Sequence, residues 1–194
     1  MQEEERFAKL ISLACHDLRT PLATVYGFAR TISRAEGLDP TLVSYSEMIE
    51  TASQQLAELL DELSLAARIE GGRYDPKLER VGTGELAAAA AERLGAERVG
   101  LSGDGTAVIV DPEATRRSVS ALVQCALRHG GLEHVDVVAD GQELRVSPIT
   151  PASAPVVLGE DLRDLGAAVG VMHVGWLGGS VAVDGETLTV RLPT

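Results

Sequence analysis

Residues 42–66 read LVSYSEMIETASQQLAELLDELSLA, and their apolar positions Leu42, Tyr45, Ile49, Ala52, Leu56, Leu59, Leu63 and Ala66 alternate at steps of three and four without a break. That period is a heptad seam, the mark of a helix packed lengthwise on other helices. Working outward, Asp39-Pro40 supplies a cap and a proline at the first helical position, and Gly37 supplies a stop for whatever precedes. What precedes is a second stripe, Phe7, Leu10, Ile11, Ala14, Leu18, Leu22, Val25, Ala29 and Ile32, which at ~100° per residue falls on one side of a helix. Two long helices joined by a short loop make an antiparallel hairpin, and one hairpin cannot cover both seams. The simplest cover is a second copy, giving a four-helix bundle across a two-fold axis. A monomer whose hairpin packs on its own C-terminal part is the other solution.

The rest of the chain has a different texture. The composition shifts near Gly71-Gly72, after which short β-rich runs alternate with helices. We read helix 84–94, strand 107–110, helix 112–128, strands 135–139 and 143–147, and an irregular stretch 148–155 rich in Pro and Ala. Helix 160–176 and a hairpin of strands 180–184 and 187–192 follow, with Asp184-Gly185 as the tight-turn signal. The expected fold class is α plus α/β: a helical hairpin over 1–70, then an α/β sandwich over 78–194, mainly antiparallel in its second half.

Composition bounds the partners. The formal charge of −12 repels phosphate backbones and anionic lipid, so neither nucleic acid nor a membrane surface is expected. No apolar run is long enough to span a bilayer and no signal-peptide pattern opens the chain, which reads as cytoplasmic; a piece of a longer membrane sensor would share that profile. With six aromatic residues in 194, the core must be built largely of Leu, Val and Ala. Cys15 and Cys125 both lie in helical sequence and give neither a disulfide framework nor metal-ligand spacing.

On the first helix His16 lies roughly 170° from the centre of the apolar stripe and so faces solvent, with Thr20 one turn on along the same face. Asp17 adjoins His16 and could accept a proton from one imidazole nitrogen, leaving the other a neutral nucleophile. Pro21 removes one helical hydrogen bond, so a bend just past the histidine is expected. On spacing alone, a surface histidine beside a kink explains these facts equally well.

The continuous string His16-Asp17-Leu18-Arg19-Thr20-Pro21-Leu22 resembles the phosphoacceptor box of bacterial two-component sensor histidine kinases, and it sits on the first helix of a heptad hairpin, as it does in that family. The resemblance implies a dimerisation and histidine phosphotransfer domain. It implies His16 as the phosphorylated residue, Asp17 as its proton-handling neighbour and Thr20 as the residue that orients water in phosphatase action. Arg19 either assists phosphate approach or is a solvated surface charge.

The resemblance continues more weakly through Val110-Asp111-Pro112-Glu113 and the helix after it, which look like the entry to the kinase ATP-binding domain. Leu177-Gly178-Gly179-Ser180-Val181 and residues 187–193 look like its closing strands. Three nucleotide features of the family are missing. Cys125 stands where the family has a magnesium-holding asparagine, and a thiol is a poor ligand for that hard cation. Pro148-Ile149-Thr150-Pro151 replaces the adenine-reading aspartate and its glycines. Glu160, Asp161 and Asp164 place negative charge where a second glycine-rich turn is expected, with only Gly166 matching. The chain therefore resembles the ATP-independent histidine phosphotransferases of phosphorelays, and no ATP or other cofactor is expected on it.

Other polar residues are read plainly. His129, His134 and His173 are expected to be surface or internally satisfied histidines, with no metal among them. Glu160, Asp161 and Asp164 are expected to form a solvated helix N-terminus favoured by the macrodipole. The leading expectation is a homodimer passing phosphoryl groups through His16 to or from response-regulator receiver domains, which would supply their own aspartate and magnesium; an upstream histidine kinase is a further candidate partner. The alternatives are an active histidine kinase with a divergent ATP site, and a non-catalytic dimeric modulator that binds a receiver or kinase.

Overall fold

The computed structural model describes residues 2–194 and divides into two compact units, the boundary falling after Tyr74. In the first, helix α1 (Gln2–Ser33) and helix α2 (Pro40–Glu70) form the expected antiparallel hairpin. α2 starts where its cap requires: Asp39 accepts a hydrogen bond from the Thr41 N–H at 2.8 Å, with Pro40 in the first turn. The capping bonds hold the Asp39 carboxyl below its ordinary value. α1 continues through Pro21 as one helix.

Cross-links between the two helices follow one another in antiparallel order: Ser33 with Glu50 at 3.4 Å, Tyr26 with Gln54 at 3.2 Å and Arg19 with Asp61 at 2.6 Å. Between them the interior is lined by small residues, Ala8, Cys15, Ala29, Ser46, Ser53 and Ala67. The seams therefore do not close on each other. Phe7, Leu10, Leu18, Val25, Ile32, Leu42, Tyr45, Ile49, Leu56 and Leu59 all remain exposed on the hairpin. An apolar hollow of about 440 Å³ opens among Phe7, Ala8, Ile11, Leu63, Ala66, Ala67 and Glu70.

The second unit runs β1 (Glu79–Gly82), α3 (Thr83–Leu94), β2 (Val99–Ser102), β3 (Ala107–Val110), α4 (Pro112–Gly130), β4 (Val135–Asp140) and β5 (Glu143–Ser147). The short α5 (Ala154–Val157), α6 (Leu165–Trp176), β6 (Ser180–Asp184) and β7 (Thr187–Arg191) complete it. The main sheet has the order β2-β4-β5-β7-β6, and its one parallel pair is β2 with β4; β1 and β3 form a separate antiparallel pair. Alternation along the strands puts Val135, Val137, Ala139, Leu144, Val146, Leu188 and Val190 on one buried face and residues such as Asp136, Asp140 and Arg145 on the other. Register stacks Val137 on Val146 and Leu144 on Val190, and this face meets Leu86, Leu122, Val123 and Leu127 of the helices.

Three details depart from the sequence reading. Strands β1 and β2 fall outside the expected elements; each buries a single side chain, Val81 and Val99, so neither shows an alternating pattern. α6 begins at Leu165 rather than at residue 160, because Gly159 takes φ +69° and Asp164 caps the helix through a 3.0 Å bond from the Ala167 N–H. The stretch 148–155 is not loose: Ile149 is buried, and its N–H donates to the Glu186 carbonyl at 2.8 Å. Thr150 and Ser153 bond each other, and the short α5 follows. The β6–β7 hairpin has the expected strands, with the turn at Gly185-Glu186, Gly185 at φ +57° and Asp184 paired to Thr187.

Candidate functional site

α1 carries His16 on its exposed side, with Thr20 exposed one turn further on and Asp17 exposed beside it. The turn that follows is altered by Pro21, which has no N–H to give to the Asp17 carbonyl. Thr24 Oγ1 donates to the Thr20 carbonyl at 3.2 Å. Cys15 faces the other way: it is buried against α2, and that burial raises its thiol above the ordinary value, which makes it a neutral packing residue.

Arg19 is a half-exposed surface charge. It reaches across to α2 and pairs with Asp61 at 2.6 Å, both side chains being about half exposed. The pair is a strut next to the histidine, and at such exposure its net worth is ~0.2–1 kcal/mol. What it fixes is the direction of the Arg19 side chain, drawn off the face that presents His16 and Thr20.

An imidazole exposed on a rigid helix satisfies the main geometric demand of phosphoryl transfer, an unobstructed in-line approach. The one cation within a turn of His16, Arg19, is paired with Asp61.

In the second unit, Cys125 is fully buried in α4. Burial, with Asp164 adding to it, pushes its thiol up to about 12. His134 is exposed, with Nδ1 3.0 Å from the Glu97 carbonyl and Nε2 3.4 Å from Asp136, and those bonds raise its affinity for a proton. His173 is buried and internally satisfied, with Nδ1 2.9 Å from Ser118 Oγ. The Ser118 hydroxyl also lies 3.0 Å from the Ala114 carbonyl.

His129 is internally satisfied, as expected, whereas Asp164 stands at the helix N-terminus but is not solvated. His129 Nε2 lies 3.2 Å from Asp164 Oδ2, both side chains largely buried, and together with Cys125 they form a three-residue group suited to a metal ion. Cys125 and His129 stand four apart on α4, a spacing visible in the sequence, whereas the third member arrives from a distant helix end. Of the acidic cluster, Glu160 is solvated as expected, Asp161 pairs with Arg163 at 2.7 Å, and Asp164 turns inward.

Comparison with known proteins agrees with the hairpin's reading. Residues 8–72 match the His Kinase A (phospho-acceptor) domain. Sensor protein DivL of Caulobacter vibrioides is 28% identical over 94 residues, which are 48% of this chain and 12% of DivL. Full-length ShkA, solved in complex with AMPPNP, shares the fold with a TM-score of 0.65 at 19% identity, over 94% of this chain and 44% of ShkA. The histidine kinase AdeS of Acinetobacter baumannii follows at 0.55 and 18%, over 92% of this chain and 98% of that one. The chain thus spans less than half of ShkA and a small part of DivL.

The structural likenesses establish the fold, a helical hairpin followed by an α/β sheet domain that resembles kinase ATP-binding domains. The matched phospho-acceptor domain covers the hairpin alone, residues 8–72. Among the described residues, no helix is long and apolar enough to cross a membrane.

Proposed function

We propose that the chain is a homodimeric histidine phosphotransferase that exchanges phosphoryl groups with response-regulator receiver domains through His16, without binding ATP. The observation that carries this reading is the exposed His16, inside an intact acceptor box, on a hairpin that matches a phospho-acceptor domain. In the forward step an imidazole nitrogen attacks the phosphorus of a receiver's aspartyl phosphate. A P–N bond forms, the P–O bond breaks, and the carboxylate leaves with its electron pair. Asp17 holds the proton on the other ring nitrogen, and Thr20 orients water where hydrolysis competes. The receiver brings the aspartate and the magnesium that neutralises phosphate charge.

Two features of the second unit favour independence from ATP. The helix position read as the family's magnesium-binding asparagine is a buried neutral thiol, Cys125. The segment read as the adenine loop is folded inward on Ile149, with Thr150 and Ser153 satisfying each other. The exposed seams favour the dimer.

The test is transfer from receiver domains phosphorylated by a small-molecule phosphodonor, run without ATP, beside a calorimetric titration with a non-hydrolysable ATP analogue and magnesium. Acid-labile phosphate on the wild type, none on His16→Ala, and no heat from the analogue are the expected results. ATP-dependent labelling of His16 would make the protein a kinase. No phosphate on the wild type would leave it a modulator, and transfer that persists in His16→Ala would overturn the reading.

A further inference from the structure

We propose that Cys125, His129 and Asp164 form a binding site for a divalent cation of the zinc class, held by one thiolate, one imidazole and one carboxylate. The three candidate ligand atoms all lie within 4.8 Å of one another. A tetrahedral ion with bonds of ~2.0–2.3 Å keeps its ligand atoms ~3.3–3.7 Å apart, so small side-chain adjustments bring the three onto one ion. The closest pair, His129 Nε2 and Asp164 Oδ2, is already at 3.2 Å.

The local structure presents these atoms together for separate reasons. Cys125 and His129 stand one turn apart on α4 and so share a face. Asp164 is fixed at the start of α6, where Oδ1 is taken by the capping bond from Ala167 and Oδ2 is left turned towards α4. That division of one carboxylate between an orienting bond and a ligand position is typical of metal sites. α6 comes close enough because Gly170 lets its backbone approach α4: a Cβ there would lie 3.2 Å from the Ser118 carbonyl oxygen.

Burial and donor chemistry narrow the ion. Cys125 has no exposed surface, and the side chains of Asp164 and His129 are 9% and 19% exposed, which separates this group from an ordinary solvated acidic cluster. Sulfur and imidazole donors select zinc-like ions over magnesium or calcium. Binding replaces the thiol proton, which is released to solvent. Three protein ligands leave the fourth position to water or an added donor. Arg128 Nη1 also reaches Asp164 Oδ2, at 3.5 Å, but from a side chain 62% exposed that is free to turn to solvent. A salt-bridged helix cap accounts for Asp164, Arg128 and His129, and Cys125 also packs in the apolar core; the cation site adds a reason for the thiol to stand beside an imidazole and a carboxylate.

The test is a titration of the full chain, stripped with a chelator, with cobalt(II) under anaerobic conditions. We expect saturation at one equivalent, with a thiolate-to-cobalt charge-transfer band in the near ultraviolet and the intense visible bands of tetrahedral cobalt, both abolished by zinc. The charge-transfer band should vanish in Cys125→Ala and persist in Cys15→Ala, the only other cysteine variant possible. Asp164→Asn retains a capping oxygen and so the fold, checked by circular dichroism, and should weaken binding at least ~10-fold. A wild type without the band, a band that survives Cys125→Ala, or an Asp164→Asn protein that binds as tightly as the wild type would each overturn the site. None of these outcomes depends on phosphotransfer through His16.

Discussion

Replacing Leu56 by alanine should weaken self-association of the chain by a predictable amount. Leu56 lies in the α2 seam and is 52% exposed on the single hairpin, so about half of its side chain remains to be buried by a partner. Full burial of a leucine is worth ~1.5–3 kcal/mol, and half of that is about 1 kcal/mol. A two-fold interface uses the residue twice, which doubles the loss to about 2 kcal/mol per dimer. At ~1.4 kcal/mol per tenfold, the dimer dissociation constant should rise roughly 30-fold. Sedimentation equilibrium across a range of concentrations reads this directly. Leu162, 79% exposed in the second unit, provides the control, since Leu162→Ala removes more exposed apolar surface than Leu56→Ala but outside the seam. Equal dissociation constants for Leu56→Ala and wild type would refute the argument that a second copy covers the seams.

Further outcomes follow from single contacts. Thr83 is fully buried, donates to the Gly141 carbonyl at 2.8 Å and accepts from the Thr106 N–H at 3.1 Å; Thr83→Val should cost ~1–3 kcal/mol in urea unfolding. His173 is held near pKa 4 by burial, so between about 6.5 and 4 the unfolded chain binds a proton that the folded chain does not. Its contribution is complete above about pH 6.5 and falls by roughly 3 kcal/mol as pH drops to 4; His173→Gln should flatten that stretch of the stability–pH curve. Gly170→Val should lower the melting temperature by forcing α6 off Ser118 and Leu122 of α4, measured by calorimetry. A double-mutant cycle on Arg19→Gln and Asp61→Asn should return a coupling of no more than ~1 kcal/mol, because both side chains are about half in water.

The hairpin was legible because its periodic stripes extend over many turns, and because Gly37 and Asp39-Pro40 punctuate them. Its packing was less so. The seams are the faces left open, while the contact between α1 and α2 is built from Ala and Ser, residues whose burial no hydrophobic pattern announces. In the second unit, β4, β5 and β7 alternate and were readable; β1 and β2 bury one residue each and were not. The start of α6 was misplaced because Glu160-Asp161 looks like a helical first turn, whereas Gly159 and the Asp164 cap decide the boundary. The exposure of His16 was legible from helical phase alone, whereas its proposed role came from the resemblance of the string His16–Leu22 to a phosphoacceptor box. The Cys125–His129–Asp164 group was missed because its third member is placed by how α6 docks on α4, and no local pattern carries that.

The small-residue interior of the hairpin separates two jobs that most helical interfaces combine. Ala8, Cys15, Ala29, Ser46 and Ser53 decide that α1 lies against α2; Leu18, Val25, Ile49, Leu56 and Leu59 decide what can lie against the pair. Substitutions in the second set can drift without disturbing the first. Duplicated copies of such a chain could therefore diverge in which partner they accept while each kept the same hairpin and the same presentation of its histidine. Insulation between related signalling lines would then arise from ordinary side-chain volume, without any change of fold.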